Sequence, residues 1–177
     1  MQLAVMTATI ANGGTVMRPY VVSRIEDYEG SVLVENGPEV LHVAELDQEN
    51  LEAVKLGLES VVNERGGTGW ASRLKDIRVA GKTGTAQVIR MKDDDEEEKL
   101  KDEDIEYRFR DHALFVSYAP AENPEIAIAV VIEHGSHGST AAAPVSKAML
   151  QAYFAGKDEN ENTETAGVVR TGPGGSE

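Results

Sequence analysis

The residues best placed to do chemistry sit in one short stretch, "VAGKTGTAQV", Val79 to Val88. Its flanks suit a β-strand. Its centre has a lysine, two threonines and two glycines where a buried strand would carry Val, Ile or Leu, and glycine gives a strand no side chain to pack. A local conflict of this kind marks a surface that something else approaches closely. Alternate side chains of a strand share a face, so Thr83 and Thr85 lie together, and Gly84 keeps the opposite face open. Two hydroxyls so spaced can bind a carboxylate. An exposed backbone N–H on the same strand can point at a carbonyl oxygen as it becomes negative. Lys82 adds positive charge next to both. Together they suggest acyl transfer on an anionic substrate, although an ordinary polar edge strand would account for the same four residues.

Other motifs are less specific. "GKT" at Gly81 to Thr83 invites a phosphate-loop reading, but the glycine needed five residues earlier is Asp76, which would repel phosphate. "GGTGWAS" has Ser72 where a dinucleotide fingerprint needs its third glycine, and it follows a helix pattern rather than a strand. "HGSHG", His134 to Gly138, offers two histidines three apart; without a third ligand it reads as a Gly-rich loop at the sheet edge rather than a metal site.

The elements that must hold Lys82 to Thr85 follow from periodicity. "MQLAVMTATIANGG" places Leu3, Met6 and Ile10 at helical spacing, with Asn12-Gly13-Gly14 as the stop. "RPYVVSRIEDYEGSVLVENG" predicts two strands with a turn near Glu29-Gly30. Leu46 to Asn63 is the clearest helix. Asp47 can cap it, Leu46 and Leu51 occupy staple positions, and Leu51, Val54, Leu58, Val61 and Val62 form an apolar face. After the motif strand come two more, His112 to Pro120 and Glu125 to Glu133. In the second, Ile126, Ile128, Val130 and Ile132 alternate with Ala127 and Ala129, so helices should lie close against the alanine face. The short turn between these strands makes them antiparallel neighbours. A last helix is expected from about Thr140 to Ala155. The order is α+β, with an antiparallel sheet flanked by helices.

Composition narrows the function. The 177 residues amount to one domain or part of one, and 41% hydrophobic content can build a core. A net charge of −14 argues against nucleic acid and anionic membranes as partners. Half of that charge lies in Lys92 to Glu106, where ten acids face three lysines; residues 91–106 read as a solvated acidic loop. No stretch is long and apolar enough for a membrane span, and no signal peptide is evident. The absence of cysteine excludes disulfides and thiolate metal sites. Residues 1–156 carry the folded pattern, and 157–177 read as a disordered tail.

With "GKTGTAQV" in the middle, "MQLAVMTATIANGGTVMRPYVV" before it and "HALFVSYAPAENPEIAIAVVIEHG" after it, the chain resembles the C-terminal part of a class B penicillin-binding protein transpeptidase domain, of the elongation type. The Lys-Thr-Gly motif is an established signature of that superfamily. The resemblance implies a partial serine β-lactamase/transpeptidase-like fold and a peptidoglycan D,D-transpeptidase of the periplasmic side of the inner membrane. Such enzymes cross-link cell-wall stem peptides ending in D-alanyl-D-alanine and are acylated by β-lactams. It further implies that Lys82 sets the electrostatics around the serine hydroxyls and that Thr83 and Thr85 hold the carboxylate. Gly84 would leave room for the acyl chain, and the Thr85 N–H would be an oxyanion donor. No cofactor or metal is implied. Cell-elongation membrane proteins are the implied partners.

The family also uses S-x-x-K and S-x-N, both upstream of the lysine motif. The chain contains no S-x-N, and its one S-x-x-K string, Ser72 to Lys75, lies too close to Lys82 to be the family's motif. The expectation is therefore a fragment lacking the N-terminal strands and the serine helix, inactive alone and able to self-associate through an uncovered strand edge. A β-lactamase, a β-lactam sensor domain, or a peptide-binding remnant without chemistry remain alternatives.

Overall fold

The computed structural model describes residues 1–88 and 105–168, with side chains described through Lys157. The elements run α1 (Gln2–Ala11), β1 (Thr15–Met17), β2 (Arg24–Glu26), β3 (Val32–Glu35), β4 (Val40–Val43), α2 (Gln48–Asn63), β5 (Ala80–Ala86), β6 (His112–Ala119), β7 (Ile126–Ile132) and α3 (Ala143–Val168). The main sheet is antiparallel in the order β5-β6-β7. The expected α+β architecture with helices flanking an antiparallel sheet is present. Residues 89–104, and with them all but Ile105 and Glu106 of the predicted acidic loop, lie outside the described residues, as do residues 169–177 of the predicted tail.

Both sheet faces are covered, and by different chemistry. On one face Phe115, Ile128 and Val130 join Val62, Val79, Ala142, Ala143 and Leu150 in a buried cluster beneath α3. On the other, Ala80 and Tyr118 pack with Ala11 of α1, and Leu58 and Ala127 close against them. Small side chains on both α1 and β7 let the helix lie near the strand, as the alternation of alanine and isoleucine predicts. The apolar face read for α1 is corrected, however. Thr7 and Ala11 are buried while Met6 is 48% exposed. The sheet selects the small side of this helix, and its large side lines an apolar groove of about 720 Å³ with Val16, Met17 and Leu41.

Helix α2 begins where its capping residue predicts: the Asp47 carboxylate accepts a hydrogen bond from the Asn50 N–H at 2.9 Å. Leu51 and Val62 are buried, but Val54 remains 48% exposed. The strand pair predicted before it is β2 and β3, joined by a turn in which Asp27 accepts from the Glu29 and Ser31 N–H groups. A second pair, β1 with β4, brackets the first and was not legible in the sequence, because both strands are short and β4 is exposed throughout.

The C-terminal helix differs from expectation at both ends. A π-helical turn, Gly138–Ala142, precedes α3. Beyond Gly156, where the sequence predicts a polar tail, the helix continues to Val168. Inside the core the Ser117 and Ser146 hydroxyls meet at 2.7 Å and tie β6 to α3.

Two predictions follow from this packing. Gly138 lies across the sheet: a Cβ there would collide with the Leu114 carbonyl oxygen and come within 2.7 Å of the Gly84 oxygen. Neither obstacle can swing aside, so Gly138→Ala should lower stability by at least about 2 kcal/mol in denaturant unfolding. Tyr118 is buried, and burial, followed by the charges of Glu59 and Glu52, pushes its phenol up to about 12. A raised acid favours its neutral form in the fold, so this contribution is intact below about pH 10 and disappears as pH rises through about 12. Tyr118→Phe should therefore flatten the alkaline stability loss across that window, and an unchanged profile would contradict the assignment.

Candidate functional site

Strand β5 is an outer strand, paired on one side only by β6. The register sets Lys82 opposite Val116, Thr83 opposite Phe115, Gly84 opposite Leu114 and Thr85 opposite Ala113. The unpaired side is not uniform. At its start, the Asn63 side-chain amide donates to the Val79 carbonyl at 2.8 Å, and Arg78 pairs with Glu59 of α2. The helix thus covers the beginning of the edge. From Lys82 onward the strand opens: Ala80 and Gly81 are buried, Thr83 and Gly84 are half-buried, and Lys82, Thr85 and Ala86 are exposed.

The four residues singled out from the sequence come together on this open half. Lys82 Nζ folds over the edge and donates to the Thr83 carbonyl oxygen at 2.9 Å, with the Thr83 hydroxyl 3.4 Å away. A carbonyl within that reach faces away from β6. In an antiparallel pair, N–H and C=O of one residue point to the same side, and the direction repeats every second residue. The backbone N–H of Thr85 therefore faces the same unpaired side as the Thr83 carbonyl. A cation, two hydroxyls and a backbone donor line one exposed edge. That set can hold a carboxylate and, beside it, a carbonyl oxygen gaining charge.

Gly84 has a role that its sequence position did not reveal. A Cβ at Gly84 would meet Leu114 Cβ at 3.3 Å and nothing else within 4 Å, so the space beside it is largely open. Its backbone, though, is overlain by Gly138, whose own Cβ would fall 3.1 Å from the Gly84 nitrogen. The turn before α3 thus braces the motif strand from behind.

Sequence reasoning missed Thr68. Its hydroxyl lies 2.9 Å from that of Thr83. The loop carrying it is sterically fixed, since a Cβ on Gly67 would collide with the Val61 carbonyl and one on Gly69 would press on Val62 and Phe115 at 3.2 and 3.3 Å. A glycine-flanked threonine just after a helix hints at a held hydroxyl, but no spacing rule links it to Thr83, 15 residues on. The "SRLK" string begins at the end of a short 3-10 helix, Trp70–Ser72. Ser72 is 1% exposed and donates to the Gly69 carbonyl at 2.6 Å, so its hydroxyl is a structural tie. The histidines of "HGSHG" part company. His134 stacks near His112 and Tyr107, and its N–H donates to His112 Nδ1 at 3.0 Å, while His137 precedes the π-helical turn. Among the described residues no group of three or more His, Cys, Asp or Glu could hold a metal ion.

A Lys-Thr-Gly strand open along one edge and braced by a C-terminal helix defines a class. The model of the penicillin binding protein transpeptidase domain matches residues 1–151, and the chain belongs to this family. It is 36% identical over 158 residues to the peptidoglycan D,D-transpeptidase MrdA of Haemophilus influenzae, covering 87% of this chain and 23% of that protein. Among solved structures, Pseudomonas aeruginosa PBP2 in complex with WCK 5153 superposes with a TM-score of 0.60 at 38% identity, over 86% of this chain and 28% of the other. The ceftriaxone acyl-enzyme complex of penicillin-binding protein A from Mycobacterium tuberculosis gives a TM-score of 0.64 at 25% identity, over 84% and 31%. The chain spans about a quarter of the length of the curated relatives it matches.

The buried state of Ser72 yields a direct expectation. A fluorescent penicillin incubated with this chain leaves Ser72 unlabelled by peptide mass mapping, because a hydroxyl buried against its own loop has neither a base nor room for an acyl group. A stoichiometric adduct at Ser72 would overturn that placement.

Proposed function

We propose that this chain supplies one wall of the active site of a peptidoglycan D,D-transpeptidase. The nucleophilic serine comes from family sequence outside these 177 residues. In the reaction the serine oxygen attacks the carbonyl carbon of the penultimate D-alanine. The peptide bond breaks, the terminal D-alanine leaves with a proton, and an acyl-serine remains for the amine of a second stem peptide. Thr83 and Thr85 hold the terminal carboxylate. The Thr85 N–H faces the oxygen that becomes negative. Lys82 stabilises the build-up of negative charge next to the serine hydroxyl. A β-lactam enters the same way, its ring carbonyl on the Thr85 N–H and its carboxylate on the two hydroxyls.

The single observation that supports this reading most is the convergence of Lys82, Thr83 and Thr85 on the half of β5 that α2 leaves open. Identity to MrdA and likeness to an acyl-enzyme complex support the same chemistry. An extracytoplasmic site of action fits a cell-wall substrate. Among the described residues no helix is long and apolar enough to cross a membrane. An elongation-type partner is supported by the PBP2 of Helicobacter pylori, seen in complex with MreC. Strand β7 is also an outer strand, with Val131 51% exposed, which supports association through that edge when it is left uncovered.

The test is acylation by a fluorescent penicillin in a complete transpeptidase domain containing this segment. Lys82→Ala should slow acylation about 100-fold, the scale of losing one preorganised electrostatic group. A rate equal to that of the parent would remove Lys82 from the mechanism.

A further inference from the structure

We infer that Thr68 is a positioning residue for the carboxylate site, acting through Thr83. The inference rests on the acyl-transfer reading above and adds a residue that the lysine motif does not contain. A hydroxyl has one hydrogen to donate and two lone pairs to accept with. Thr83 Oγ1 has two neighbours: Lys82 Nζ at 3.4 Å and Thr68 Oγ1 at 2.9 Å. Lys82 can only donate. If Thr68 donates as well, both lone pairs of Thr83 are engaged. Its single hydrogen is then left to point outward along the open edge, where a carboxylate would accept it. Without Thr68 the Thr83 hydroxyl can rotate and donate elsewhere, and the substrate must reorient it on binding.

The loop is built to hold this contact. Gly66 has a φ of +92°, a conformation that disfavours any other residue. Gly67 and Gly69 stand where a side chain would strike the end of α2. The Gly69 N–H donates to the Val61 carbonyl at 3.0 Å, and the Gly69 carbonyl accepts from buried Ser72. Thr68 is therefore fixed from both sides while its own side chain stays exposed. A surface threonine free of any duty would need no such frame.

The experiment measures second-order acylation rates in a complete domain containing this segment, for a β-lactam with a free carboxylate and for its methyl ester. Thr68→Val keeps the shape and removes the hydroxyl; Thr68→Ser keeps the hydroxyl. For the free acid, Thr68→Val should fall about 10-fold, the scale of one hydrogen bond to a charged group, and Thr68→Ser should stay within about 3-fold of the parent. For the ester, parent and Thr68→Val should agree within about 2-fold, because no carboxylate is there to be held. Equal rates for parent and Thr68→Val on the free acid overturn the inference. So does an equal loss on acid and ester, which would mean general damage to the loop. A parent domain that is not acylated at all sinks the acyl-transfer reading itself, and is distinct from both.

Discussion

Lys82 Nζ reaches the carbonyl oxygen of Thr83 because, among the described residues, no strand lies opposite that carbonyl. A second partner for β5 would occupy the same lone pairs, and would also consume the N–H of Thr85 two residues on. The proposed function depends on keeping that side unpaired. Exposed strand edges are a liability that proteins normally cover or charge. Here α2 covers the first part of the edge through Asn63, and Lys82 places a charge where the cover ends. What remains is a short, polar run, and the proposed function places a peptide or a β-lactam along it as an added strand.

An open edge works only if the rest of the strand cannot move. Three contacts on other elements provide that rigidity. Gly81 lies so close to Phe115 and the Val116 carbonyl that no side chain fits between them. Gly138 lets the turn before α3 rest on the backbone of Gly84 and Leu114. The Ser117–Ser146 hydrogen bond then anchors α3 to the sheet beneath a core of Phe115, Val130 and Leu150. Glycine in and around the motif therefore serves two ends. It lets backbone approach backbone on the packed side, and at Gly84 it leaves open space beside the strand.

Much of this is legible in the sequence. The strands His112 to Pro120 and Glu125 to Glu133 announced themselves by alternation, and Asp47 marked the start of α2, because local periodicity and capping are written in neighbouring residues. Lys82, Thr83, Gly84 and Thr85 stood out because they contradict the strand around them. What the sequence did not reveal depends on contacts between distant elements. The buried face of α1 is chosen by the alanines of β7 and by Tyr118, so Thr7 and Ala11 turn inward in place of Met6. The β1–β4 pair closes a 22-residue excursion and has too few residues to carry a pattern of its own. Thr68 becomes part of the site only when the loop after α2 folds back on β5. Gly138 reads as one more glycine in a loop until it is seen against Gly84.

The central claim is that a ligand lies along the unpaired side of Lys82 to Thr85. A crystal structure of the complete domain after acylation by a β-lactam tests it most directly. The account predicts the ligand carboxylate within about 3 Å of the Thr83 and Thr85 hydroxyls and the acyl oxygen at similar distance from the Thr85 nitrogen, the geometry of ordinary hydrogen bonds. An acylated structure in which the ligand leaves this edge empty, or in which another strand of the domain pairs with it, would contradict the account.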